Sequence, residues 1–143
     1  MRAPTYYRLG YRGGRSYGGF QWPLTAGGRA EAPDWDANLD IRCGSGLHIV
    51  RLGGYLHDLL RATHLLRVVP EDVVPSRDGD KYRCRAAVVE AIWPIGSARA
   101  RAIFLKDAGW AFYYARAADG EPRDDTRRAA CREPEYAYRY PAK

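Results

Sequence analysis

The chain has 143 residues and 16.1 kDa, 46% hydrophobic, 13% aromatic and 28% charged, with 23 Lys and Arg against 17 Asp and Glu. That composition excludes a mostly disordered chain and fits one core better than two. No apolar run approaches the roughly 20 residues that span a bilayer, the first residues lack the apolar centre of a secretory signal, and three cysteines without a C-x-x-C pair exclude a disulfide framework or zinc ribbon. A cytoplasmic protein with reduced thiols and no membrane segment is expected.

The net charge of +6 is uneven. Residues 1–20 carry four Arg and no acid, 21–80 six bases and nine acids, 81–117 seven and two, and 118–143 six and six. Arg, which outnumbers Lys twenty to three, is planar and forks onto phosphate or carboxylate, so two basic segments around an acidic one suit a polyanion or an acidic protein surface. A codon bias toward Arg accounts for the ratio equally well.

In chain order, Tyr6 to Tyr11 reads as a strand leading into a turn region with paired glycines at 13–14 and 18–19. Its interleaved Arg8, Arg12, Arg15 and Tyr17 are what a single-stranded nucleic-acid surface uses, guanidiniums on phosphates and rings on bases. The competing reading is an edge hairpin with solvated arginines. Phe20 to Leu24 reads as a short strand carrying Trp22, and 27–38 as a polar loop. Cys43-Gly44-Ser45-Gly46-Leu47-His48 places a turn between two apolar stretches. Tyr55, Leu56, Leu59 and Leu60 recur at helical spacing, predicting a three-turn helix over 54–63. His64 to Val69 is a buried-type strand stopped by Pro70, and Val73-Val74 a second extended piece.

Asp78-Gly79 is a tight-turn signal. After it Lys81, Arg83 and Arg85 alternate with Tyr82, Cys84 and Ala86, a strand with one wet and one dry face that continues to Trp93. Strict alternation puts Glu90 on the dry face as a functional acid; a bulge near Ala86-Ala87 makes it wet, and the bulge is favoured. Residues 97–117 read two ways, as helix capped by Ser97 or as a hairpin around a Lys-Asp-Ala-Gly turn. Gly109 would cost a helix about 1 kcal/mol, which favours the hairpin. Asp124 or Asp125 caps a short helix. The expectation is a small α+β domain over 1–133, mainly antiparallel sheet with one or two short helices, then an extended Tyr-rich tail over 134–143.

No phosphate-loop or dinucleotide fingerprint is present. Cys43, His48, His57 and His64 have no ligand spacing, so no metal is expected, and no cofactor. The runs Gly-Gly-Phe-Gln-Trp (18–22), Cys-Gly-Ser-Gly-Leu-His (43–48), Leu-Leu-Arg-Val-Val-Pro-Glu-Asp-Val-Val (65–74) and Asp-Gly-Asp-Lys-Tyr-Arg-Cys-Arg (78–85) resemble an uncharacterised family of small bacteriophage and prophage domains. The resemblance covers about 15–92. It departs where Glu90-Ala91-Ile92 stands for an Arg-Glu-Ile ending. It implies a viral or prophage protein in a bacterial cytoplasm, or a virion component or inhibitor of host defence, rather than a mechanism.

The order of Gly-Leu-His strand, short helix and hydrophobic strand is also similar to the middle of the ADP-ribosyltransferase fold. That similarity would place Arg8 or Arg12 on the NAD pyrophosphate, His48 or Tyr55 at nicotinamide, and Glu90 as the orienting carboxylate, which makes Glu90, His48 and Tyr55 the catalytic candidates. The leading expectation is binding rather than catalysis. Arg8, Arg12, Arg15, Tyr17, Trp22, Lys81, Arg83 and Arg85 would engage nucleic acid or an acidic partner protein, and the tail would dock on a partner.

Overall fold

A computed structural model describes residues 4–11, 21–38, 46–56, 59–76, 81–121 and 123–139. Its strands are β1 (Tyr6–Gly10), β2 (Arg29–Glu31), β3 (Leu47–Ile49), β4 (His64–Glu71), β5 (Val74–Pro75), β6 (Tyr82–Cys84) and β7 (Ala86–Pro94), and its helices are α1 (Ala98–Phe104), α2 (Ala108–Tyr114), α3 (Asp124–Ala130) and α4 (Pro134–Arg139). The fold is α+β. Four antiparallel strands in the order β1-β4-β7-β2 form one sheet, and β3-β6-β5 a second.

Alternation along β1 and β4 sends side chains to two different cores. Tyr7, Leu9 and Leu65 pack with Ile103, Phe104, Trp110 and Tyr114 of the helical layer. Tyr6, Leu66 and Val68 pack with Leu47 and Ile49 of β3 and Cys84 of β6. The four-stranded sheet is thus a middle layer, which explains why β4 is so apolar. It runs through Pro70 to Glu71, past the expected stop.

The stretch 81–93 is two strands in two sheets, broken at Arg85. Ala86 and Ala87 are both fully buried. Val68 pairs with Val89 and Arg67 with Ala91, so Glu90 is the extra residue of a β-bulge and its carboxylate faces water. The bulge reading of Glu90 is right in outcome, but the bulge sits at Glu90 itself.

Four other expectations change. Residues 97–117 are two helices, not a hairpin, because each starts on a capping side chain: Ser97 Oγ accepts from Ala100 N–H at 3.2 Å and Asp107 Oδ2 from Trp110 N–H at 3.0 Å. Gly109 falls in the first turn of α2, and a Cβ there would meet the Tyr136 hydroxyl at 2.9 Å. Among the described residues of the expected helix over 54–63, only a 3-10 turn at Leu59–Arg61 is helical, and a turn in which Gly53 has φ 89° lies before it. The extended tail is helix from Pro134 to Arg139, with proline in the first turn and Tyr136 packed on Phe112. Gln21 to Leu24 is not strand, whereas the expected loop 27–38 contains β2. The Asp78-Gly79 turn lies outside the described residues.

Past α2 the chain continues as a π turn, Ala115–Asp119, ended by Gly120 with φ 71°. This delivers the Asp119 carboxylate to Arg101 at 2.6 Å, and Asp125 at the start of α3 meets the same guanidinium at 2.6 Å. Arg101 therefore ties α1 to α3. Its hydrogen bonds hold the Asp125 carboxyl down to about 2, with the Thr126 N–H assisting.

Two outcomes follow from these contacts. Asp107→Ala removes the α2 cap and should cost about 1 kcal/mol in chemical denaturation, with Asp107→Asn retaining most of it. Because the Asp125 carboxyl is depressed in the folded state, the stability it contributes is complete above about pH 4 and is lost as the pH falls toward 2. Thermal midpoints of the wild type and Asp125→Asn should therefore converge over that window.

Candidate functional site

Arg12, Arg15 and Tyr17 lie outside the described residues. Among the rest, the fold takes up most of the expected binding residues. Arg8 points between the two sheets, where its Nη1 donates to the His48 carbonyl at 3.1 Å and its guanidinium lies 5.7 Å from the Trp22 ring centre. Burial pushes its pKa down. Trp22 is itself buried, so neither is placed to stack on a base.

Arg83 corrects the wet-face expectation most plainly. It is fully buried. The segment after β2 folds over it: its Nη1 donates to the Asp36 carbonyl at 2.7 Å and its Nη2 to the Asn38 carbonyl at 2.5 Å, and the Trp35 ring lies 5.9 Å away. Two chain carbonyls thus terminate on one guanidinium, a fork that Lys cannot reproduce.

Arg85 is exposed but paired: with Asp72, with Glu71 at 3.1 Å and with Glu31 at 3.8 Å. Arg29 binds the same Glu71 at 2.7 Å and Glu31 at 3.3 Å. Hydrogen bonding from Arg29 holds the Glu71 carboxyl below its usual range. With two guanidiniums and three carboxylates, the patch around Arg85 is net negative, not the basic face expected at Lys81 to Arg85. Lys81 is half-buried at the start of β6.

The catalytic candidates do not converge. Glu90 forms an ion pair with Arg67 at 3.0 Å beside a cleft whose lining includes neither His48 nor Tyr55. His48 is on β3, across the second core, and Tyr55 is exposed on a turn. Arg8, one of the two arginines expected at the pyrophosphate, donates to the His48 carbonyl, and Arg12, the other, lies outside the described residues.

What the sequence reading missed is the segment Arg51 to Arg61. Leu52, Tyr55 and Leu60 are exposed to 39%, 59% and 75%. The base of this lobe is fixed, since Trp110 Nε1 donates to the Gly54 carbonyl at 2.8 Å and the missing Cβ of Gly53 admits the Asp107 carboxylate. At its start, Arg51 lies over the Tyr82 ring at 4.6 Å and the Tyr6 ring at 5.4 Å and donates to the Tyr6 hydroxyl at 3.2 Å. The signal available in the sequence was Leu52-Gly53-Gly54-Tyr55, where paired glycines interrupt the helical period.

No helix among the described residues is long and apolar enough to cross a membrane. Comparison of the chain with protein-family models, curated proteins and solved structures finds no match, so its own geometry carries the functional reading.

The roles of the arginines separate by stability. Arg83→Met should cost about 2 kcal/mol, because it removes the buried donor that holds the Asp36 and Asn38 carbonyls, whereas Arg85→Met on the exposed network should leave the denaturation midpoint nearly unchanged.

Proposed function

We propose that the protein acts by binding rather than catalysis, and that its partner is an acidic protein surface seated on the Arg51 to Arg61 lobe. The observation that carries this is the cluster of exposed Leu52, Tyr55 and Leu60 within one short segment that begins and ends in arginine. Protein interfaces concentrate energy in aromatic and aliphatic anchors with Arg enriched and a polar rim around them. A fixed base supports the same reading, because side chains already held in place lose little freedom on association.

A nucleic-acid partner is less well supported. Arg8 is half-buried and bonded to the His48 carbonyl, Arg83 is buried, Arg85 is matched by carboxylates and Trp22 is in the core, which removes the interleaved pattern of cations and rings from the described surface. The likeness to phage and prophage domains suggests that the acidic partner is a component of a virus particle or of a bacterial defence system.

Capture from a bacterial lysate, compared between the wild type, Leu60→Asp and Tyr55→Asp, tests the assignment. The retained partner should be an acidic protein, lost in both variants, with unchanged circular dichroism. Saturable binding to a single- or double-stranded oligonucleotide, weakening steeply with salt and indifferent to both substitutions, would give the nucleic-acid reading instead.

A further inference from the structure

At the edge of the four-stranded sheet, where β1 and β4 approach the turn between α1 and α2, a cleft of about 660 Å³ opens. Its charged lining groups are Arg67, Glu90 and Lys106, the hydroxyls of Thr5, Tyr6 and Tyr7 join them, and Val69 and Val73 stand among its apolar ones. Register explains the polar set. Tyr7 is directly opposite Arg67 across β1 and β4, and the bulge sets Glu90 beside Arg67's partner Ala91.

The hydrogen-bonding capacity of these groups is lopsided. Glu90 is the acceptor, and Arg67 Nη2 already engages it at 3.0 Å. Against it stand the Tyr7 hydroxyl, the other N–H groups of Arg67 and the Lys106 ammonium. Among the described residues neither the Tyr7 hydroxyl nor Lys106 has a side-chain hydrogen-bond or ion-pair partner, although Tyr7 is only 7% exposed. Burial pushes the Tyr7 phenol up, with Arg67 opposing and Glu90 adding, so it remains a neutral donor at physiological pH.

Two cations against one carboxylate leave the cleft net positive, and a donor excess calls for a ligand rich in acceptors. Val69, half exposed beside these donors, gives an apolar body somewhere to lie. We propose that the cleft binds a small organic anion, its carboxylate or phosphate oxygens accepting from Tyr7, Arg67 and Lys106 and its apolar portion resting on Val69 and Val73. Glu90 orients Arg67 in this site, and the Trp93 ring, 5.3 Å from the Arg67 guanidinium, supports the other side. Lys106 supplies charge at the mouth.

The site is separate from the partner-binding lobe, so the two can fail independently. The test is titration of the full chain with hexanoate, butyl phosphate, inorganic phosphate and hexanol, followed by amide chemical shifts. Hexanoate or butyl phosphate should move the Tyr7, Arg67 and Lys106 resonances saturably and more tightly than inorganic phosphate or hexanol. The tighter of the two organic probes identifies the head group. Lys106→Gln and Tyr7→Phe should each weaken that probe about three- to fivefold, as loss of one partly exposed polar contact does, with unchanged thermal midpoint for Lys106→Gln, whereas Leu60→Asp should not affect it. Shifts confined to the 51–61 lobe, hexanol or inorganic phosphate binding as tightly as the organic anions, no saturable shift with either organic anion, or affinity unchanged in both cleft variants would each overturn the proposal.

Discussion

Everything in this fold depends on β4 being dry on both faces where it starts, at Leu65 and Leu66. Leu65 and Leu66, adjacent in sequence and opposite in direction, are both fully buried, one against the helices and one against the second sheet. A strand in that position cannot alternate apolar with polar, and it needs cover from two sides, which α1 and α2 supply on one and β3 and β6 on the other. A third, smaller cluster of Ala111, Phe112, Ala115, Ala129 and Ala130 then attaches α3 to α2 through small side chains that let the helices approach closely.

The arginine excess takes on a different meaning in this frame. Arg8, Arg51, Arg67, Arg83, Arg99, Arg101 and Arg116 each lie against an aromatic ring, and Trp93 has one guanidinium at 5.3 Å and another at 5.8 Å. Arg and aromatic residues are abundant together because they pack together: the guanidinium plane covers a ring while its edge reaches a carbonyl or carboxylate. Interleaved Arg and Tyr along a sequence thus have an architectural use as well as a nucleic-acid one, and the described part of this chain uses the first.

The strands β1 and β4 were legible because each combines β-branched or aromatic residues with long apolar runs, the extended stretch from Tyr82 to Trp93 was legible but not its division between two sheets, and the wet orientation of Glu90 followed from the cost of an unpaired buried carboxylate. Arg83 was not legible. Period-2 alternation assumes that one face of a strand is open to water, and nothing in Lys81 to Arg85 announces that Trp35, more than forty residues earlier, will close over the other. The helices of 97–117 were obscured by Gly109, whose cost is small in a first turn and whose bareness makes room for Tyr136. Conversely, Tyr55, Leu56, Leu59 and Leu60 have helical spacing, but of these only Leu59 and Leu60 lie in a helical turn, after Gly53 has already turned the chain. The polar cleft draws on four places distant in sequence, and the register of β1 on β4, the bulge in β7 and the turn between α1 and α2 bring them together.

The hydrogen bond from Trp110 to the Gly54 carbonyl carries a mechanical consequence. Trp110 stands edge-on to Tyr7 at 5.6 Å and tilted against Phe104 at 5.2 Å, so the same indole that anchors the exposed lobe is a member of the helical core. Force applied at the lobe is therefore transmitted to an indole clamped between sheet and helix, not dissipated in a slack loop. The turn at Gly54 is thus set in a rigid mount, and a partner seated beside it, as proposed, would meet a backbone already held by the core.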